Sequence, residues 1–413
     1  MTDAPLAARL RDLAGPTIFS EMTALAQAAG AVNLGQGFPD GDGPAALLEA
    51  AHAAIDQGLN QYPPATGLPV LRKAIAARRA ADHGVEYDPE TEVVVTAGAT
   101  EAIAAALIGL CEPGDEVVVF DPLYDSYGAC LAMAEVRRVP VLLEYDGTRF
   151  SFDPDALRAA VGPRTRLILL NTPHNPSGKV FDARELALIA ELCVEHDLIA
   201  VVDEVYEYLV YDGLRHLTPA ALPGMRERTL SISSAGKTFS ATGWKVGWAC
   251  GPAPLVTAVR TVKQYLTFGT GTPFQAAVAH GLTACMDWVE ELRAGLESRR
   301  DLLVAGLRTG GITTYPSSAT YFLQMDARSF GTGDGDALCR ELVRSAGVVA
   351  IPSVALYDDK KAGRHLVRLA FCKDEELLAG AAGRLAAQAR AAGAGQVARP
   401  ARDLDGRART SKT

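Results

Sequence analysis

Between about residues 90 and 250 the chain alternates two textures, short runs of β-branched and aliphatic residues and longer Ala/Leu/Glu-rich stretches of helical period. The runs are Glu92-Val93-Val94-Val95-Thr96, Glu116-Val117-Val118-Val119-Phe120, Arg166-Leu167-Ile168-Leu169-Leu170 and Leu198-Ile199-Ala200-Val201-Val202. None shows the strict apolar–polar alternation of a strand with one wet face. Continuous apolar strands are buried on both faces, and the intervening helices supply the cover. The pattern predicts an α/β fold with a mostly parallel sheet sandwiched by helices. Its ligands should bind at the carboxyl ends of the strands.

The flanks read differently. Residues 5–30 are Ala/Leu-rich and helical in pattern, and they lead into the loop Asn33-Leu34-Gly35-Gln36-Gly37-Phe38-Pro39-Asp40. A long helical stretch, roughly Gln275 to Leu307, links the large unit to a smaller α+β unit with strands near Thr320–Gln324 and His365–Leu369. The expected division is an N-terminal segment (1–44) that joins the small domain, a large domain (45–300) and a small domain (301–393). The tail (394–413) is expected to be disordered, because it holds few large apolar side chains.

Bulk properties narrow the function. At 413 residues the chain exceeds one small core. Its net charge of -9 leaves no basic surplus to neutralise nucleic-acid phosphates. Seven cysteines are scattered without a CxxC pair, so they read as reduced thiols and no metal site is assigned. No signal-peptide pattern and no bilayer-length apolar stretch is present, which places the expected site of action in the cytoplasm.

The candidate chemistry centres on Lys237, in Ser233-Ser234-Ala235-Gly236-Lys237-Thr238, 34 positions after Asp203 at the end of a strand run. A lysine among small residues, following an acid at a strand end, suits an aldehyde cofactor that needs an amine and an anion opposite its ring nitrogen. That cofactor is pyridoxal 5'-phosphate (PLP). Asp203 could equally cap a helix, but a buried carboxylate is costly unless it meets a cation. Gly98-Ala99-Thr100 opens an Ala-rich helix after a strand, which would aim free N–H groups at an anion. Asn175, in Asn171-Thr172-Pro173-His174-Asn175-Pro176-Ser177-Gly178, follows another strand directly. Tyr206 is either a packing residue or a donor to the cofactor, and Arg368 either an edge charge or a carboxylate clamp.

Taken in order, these motifs resemble the fold-type I, class I/II aminotransferases. The chain is similar to the branch of kynurenine aminotransferases, glutamine transaminase K and cysteine-conjugate β-lyases, and to actinobacterial N-succinyldiaminopimelate aminotransferases. The likeness runs from about Phe19 to Leu385, through Asn33–Asp40, Asn60-Gln61-Tyr62, Asn171–Phe181, Asp203–Tyr206, Ser234–Gly247 and Val367-Arg368. It implies that Lys237 forms the Schiff base and moves the proton, that Asp203 keeps the ring nitrogen protonated, and that Asn175 and Tyr206 bond the phenolate oxygen. It further implies that Gly98, Ala99, Thr100, Ser234 and Lys245 hold the phosphate and that Tyr124 stacks on the ring. Arg368, helped by Gly37 and Asn175, would clamp the substrate carboxylate.

The same resemblance implies a homodimer with shared sites, Tyr62 reaching the neighbour's phosphate and Phe268 lining the neighbour's substrate pocket. Phe19 falls near an aromatic of the side-chain pocket. No second arginine is recognisable for a distal carboxylate, so the expected substrates are large neutral, aromatic, sulfur-containing or N-succinyl-diaminopimelate-type amino acids with a 2-oxo acid. The departure is Ala319 before Thr320, where the family usually has Gly. The alternative activity is a PLP-dependent β/γ-elimination, replacement or carbon–carbon bond-forming reaction on a sulfur- or sulfonium-bearing amino acid. A cofactor-sensing regulator is disfavoured, because no helix-turn-helix module precedes residue 30 and the charge is acidic.

Overall fold

The computed structural model describes residues 6–397. Its centre is a seven-stranded sheet in the spatial order Val93–Thr96, Gly247–Cys250, Thr229–Ser234, Ile199–Asp203, Thr165–Asn171, Glu116–Asp121 and Arg137–Leu142. Only Gly247–Cys250 runs against its neighbours, and every other adjacent pair is parallel. The four predicted strands are present, each within one residue of the expected limits.

Side chains alternate across this sheet into two cores. Val94, Val117, Val119, Leu167, Leu169, Ile199 and Val201 pack on one face against the helix Ala99–Leu110. Val93 and Val95 on one half of the other face, and Val118, Ile168, Leu170 and Val202 on the other half, complete the sandwich. Water is excluded from both faces, which accounts for the unbroken apolar runs in the sequence.

A second sheet, Phe322–Asp326, Leu366–Ala370 and Ile351–Pro352, is antiparallel and has its own apolar core. The N-terminal segment adds to this region: Val32–Asn33 pairs in parallel with Val348–Val349, and Ala370 N donates to Leu34 O at 2.6 Å.

Three expectations shift. The stretch 6–30 holds a 3₁₀ turn (Ala8–Leu13) and a helix (Ile18–Ala29), separated at Gly15-Pro16 because Pro lacks an N–H and Thr17 caps the second piece. The long helix is two, Thr272–Ala284 and Met286–Arg308, broken at Cys285, whose φ -114° and ψ 18° leave helical geometry. No Gly or Pro marks that break, so tertiary packing imposes it. The last helix, Glu375–Val397, runs four residues into the segment expected as a tail; the rest of that tail lies outside the described residues. Among the described residues no helix is long and apolar enough to cross a membrane, and all seven cysteines are buried and unpaired.

Candidate active site

Five strand ends converge on one edge of the large sheet, and a cavity of about 390 Å³ opens there. Val93–Thr96 leads into Gly98, Glu116–Asp121 into Tyr124, Thr165–Asn171 ends on Asn171, Ile199–Asp203 on Asp203, and Thr229–Ser234 leads into Lys237. This is the topological position predicted for a ligand. The second sheet contributes Phe322 and Arg368, and the N-terminal segment Thr17, Phe19, Gln36 and Gly37.

Asp203 is buried at the floor. Its Oδ2 accepts the Tyr127 phenol at 2.5 Å and its Oδ1 the Val205 N–H at 3.2 Å. Burial pushes its pKa up to about 6 against the pull of these bonds and of the Lys237 charge. Lys237 sits in a single helical turn, Ala235–Thr238, and burial lowers its amine to about 8. An amine so placed gives up its proton far more readily than an exposed lysine. Its Nζ donates to the Tyr321 hydroxyl at 2.6 Å.

Gly98 begins the helix Ala99–Leu110 at φ +79°, and no side chain caps that end, so the Ala99 and Thr100 N–H groups face the cavity. Gly247 permits the arrangement, because a Cβ there would lie 2.5 Å from the Gly98 carbonyl carbon. Lys245, held at φ +53°, brings Nζ beside Gly98, and that Nζ has no hydrogen-bond or ion-pair partner among the described residues. Ser234 lines the same end. A free helix N-terminus, a hydroxyl and an unpaired ammonium make an anion cradle.

Arg368 is 1% exposed in the middle strand of the second sheet. Its Nη1 donates to Asn175 Oδ1 at 3.1 Å and its Nη2 to Gly35 O at 2.9 Å, while its Nε has no partner. The guanidinium lies 4.0 Å from the Phe322 ring centroid and 4.9 Å from that of Phe19. Burial lowers its pKa to about 10, and it stays charged. Since Asn175 Oδ1 faces Arg368, the amide nitrogen is left to donate elsewhere. Tyr206 and Tyr124 also line the cavity.

The structure thus gathers thirteen of the sequence-predicted site residues in one cavity. Tyr62 and Phe268 stand apart from it within the chain. They meet each other instead, ring centroids 5.7 Å apart, and both are exposed. Sequence reasoning missed Tyr127, Asn171, Thr17, Gln36 and Tyr321 as site residues. Tyr127 carried a usable signal, since it lies one helical turn after Tyr124 and so on the same face.

A family model, aminotransferase class I and II, matches residues 29–385. The chain belongs to the class I and II aminotransferases. It is 54% identical over 379 residues to the probable N-succinyldiaminopimelate aminotransferase DapC of Mycobacterium tuberculosis, covering 90% of this chain and 95% of that one. A solved N-succinyldiaminopimelate aminotransferase from Mycobacterium tuberculosis superposes with a TM-score of 0.91 at 53% identity, covering 93% of this chain and all of the other. The methionine aminotransferase of Escherichia coli is 40% identical over 373 residues, covering 90% and 95%. Kynurenine–oxoglutarate transaminase 1 of Homo sapiens is 37% identical over 389 residues, covering 87% and 92%.

Class I and II aminotransferases are PLP enzymes, and this one moves an amino group between an α-amino acid and a 2-oxo acid. The cavity fits the cofactor on its own chemistry. Asp203 is a buried carboxylate in want of a cation, the uncapped helix end and Lys245 are in want of an anion, and Lys237 is an amine of lowered basicity.

Proposed function

We propose that this aminotransferase acts on an N-succinyldiaminopimelate-type amino acid in a biosynthetic route. The observation that carries the reading is the 54% identity, over nearly the whole of both chains, to the probable N-succinyldiaminopimelate aminotransferase. A second reading, a large neutral or sulfur-containing donor, is favoured by Phe19, Tyr124 and Phe322 in the cavity wall. It is also favoured by Arg368 being the only arginine that lines the cavity among the described residues.

The residue roles follow from position. When bound, PLP supplies an aldehyde for amines and a ring that draws electron density from the substrate Cα. The Ala99 and Thr100 N–H groups, Ser234 and Lys245 would hold its phosphate. Asp203, steadied by Tyr127, would keep the proton on the ring nitrogen. The Asn175 amide and the Tyr206 phenol would donate to the ring oxygen, and Tyr124 would cover the ring face. Arg368 takes the substrate α-carboxylate through its free edge, beside Gly37 and Asn175. Lys237 Nζ, with its lowered pKa, would take the proton from the substrate Cα and carry it to the far side of the amino nitrogen.

Residues 1–44 and 301–393 are proposed to act together as the unit that closes on 45–300, since Phe19, Gly37 and Arg368 reach the cavity from that side. Two copies are proposed to share their sites. Tyr62 is 86% exposed, Tyr265 84% and Leu266 57%, an apolar surface of the kind that a partner covers. The unpaired cysteines favour a reducing compartment such as the cytoplasm.

The test is an absorption titration of the holoenzyme with N-succinyldiaminopimelate, methionine and kynurenine singly, with products identified by mass spectrometry. Preferred conversion of the succinylated donor to its 2-oxo acid supports the first reading, and preference for methionine or kynurenine the second. Products that have lost a side-chain leaving group would replace both with elimination. Mixing inactive Lys237→Ala and Tyr62→Ala proteins tests the shared site, because only hybrid dimers then contain one intact site; no recovery of activity rejects sharing.

A further inference from the structure

Tyr321 carries no role in the account above, yet it touches the reacting amine. Its side chain is 1% exposed, and its hydroxyl donates to Gly37 O at 2.5 Å while accepting from Lys237 Nζ at 2.6 Å. One phenol therefore joins the N-terminal segment to the lysine. Gly37 has to be glycine for this contact, because a Cβ there would lie 2.4 Å from Phe322 Cζ and 2.9 Å from Tyr321 Cε2.

The backbone ahead of the phenol is strained. Thr320, a β-branched residue, sits at φ +69°, where such residues are outliers. Tertiary bonds hold it there. Its N–H donates to Leu209 O at 2.9 Å, its Oγ1 accepts Phe322 N at 3.1 Å, and its carbonyl accepts the Tyr211 phenol. On the other side, Phe371 N donates to Tyr321 O at 2.9 Å. The Tyr321 ring is then fixed edge-on to Tyr206 and Phe322, with centroids 5.3 and 4.8 Å away. Strain that the surroundings overdetermine at a reacting group points to a positioning role.

We propose that Tyr321 is a positioning residue for the free amine of Lys237: its oxygen takes one Nζ hydrogen and so directs the remaining lone pair toward the substrate Cα. The Gly37 carbonyl occupies the phenol's only hydrogen, so the oxygen acts toward lysine as an acceptor alone. Docking of the Gly35–Gly37 loop is thereby coupled to the orientation of the lysine. The inference rests on Lys237 being the reacting amine, which borohydride reduction of the holoenzyme and peptide mapping test separately; failure there removes both readings.

An acceptor favours the ammonium form, so its loss lowers the amine's pKa. The experiment uses Tyr321→Phe, which keeps the ring and its packing, loaded with pyridoxamine 5'-phosphate so that the Lys237 amine is free. Labelling of Lys237 by 1-fluoro-2,4-dinitrobenzene is followed against pH by peptide mass spectrometry. The midpoint is expected to move down by about one pH unit. With L-methionine as donor, the amino-transfer half-reaction is expected to slow about tenfold at unchanged half-saturation. A midpoint that stays or moves up overturns the proposal, as does an unaltered half-reaction rate. Thr320→Gly, which keeps the phenol but relaxes its aim, is expected to slow the same half-reaction to a lesser degree; an unchanged rate there removes the role given to the strained residue.

Discussion

The Tyr127 phenol donates a 2.5 Å hydrogen bond to Asp203 Oδ2, joining the helix after one strand to the end of another. This bond opposes the burial that raises Asp203 to about 6. Tyr127→Phe removes it, so the carboxyl group protonates more readily and meets the ring nitrogen less well. Cofactor affinity is expected to fall about tenfold, the size of a lost hydrogen bond to a charged group. Fluorescence titration with PLP measures it, and its acid limb is expected to move to higher pH. Equal affinity in the two proteins would refute the role.

Asp203 also sets a pH dependence of stability in the cofactor-free protein. Its folded pKa, about 6, lies above the ordinary value of 3.8, so between these values the folded chain holds a proton that the unfolded chain has released. The stabilising contribution is full below pH 3.8 and is lost as pH rises through 6, a loss of about 3 kcal/mol. Asp203→Asn removes the titration. Urea unfolding is expected to find the cofactor-free variant more stable than the native protein at about pH 8, with the gap closing at about pH 4. The variant is also expected to bind PLP poorly.

Beneath the site, Arg79 donates to Glu204 and Glu207, each at 2.9 Å, and all three side chains are buried. His83 and His216 complete the network through the same two carboxylates. Arg79→Met strands two acids without their shared cation. Unfolding free energy is expected to drop by about 3–5 kcal/mol, the cost of breaking a buried pair from one side. A loss under 1 kcal/mol in urea titration would show that the histidines and Ser233 suffice to hold the carboxylates.

Arg368→Lys keeps a positive charge but not a fork that can bond Asn175, Gly35 and a carboxylate together. Steady-state kinetics are expected to show kcat/KM reduced about a hundredfold, with thermal stability changed little by comparison. Native-like kcat/KM would place the carboxylate elsewhere.

The departure at Ala319 has a structural answer. The positive φ belongs to Thr320, and Ala319 needs no glycine; its methyl group is fully buried. Ala319→Gly is expected to cost about 1 kcal/mol through the freer unfolded chain, with kcat/KM unaltered. A gain in stability or a change of donor preference would reverse this assignment.

The parallel sheet was legible because four of its strands are apolar on both faces, a pattern that few other arrangements produce. Asp203 and Gly98 were legible because each stands just past such a run, where the sheet must present its ligand edge; Lys237 was legible from its small neighbours and its place after Asp203. The break at Cys285 was not, since nothing local stops a helix there.

Local pattern by itself determined the four apolar strands of the large sheet and the chemistry at their ends, because burial and hydrogen bonding impose periodicity within a few residues; Thr229–Ser234, Gly247–Cys250 and Arg137–Leu142 took their places only in the tertiary structure. Tertiary structure alone decided which side chains meet across long separations. Tyr321 lies 84 residues from Lys237 and 284 from Gly37, and Arg368 lies 193 from Asn175. Such contacts depend on how one sheet is laid against another, and no short stretch of sequence encodes that distance.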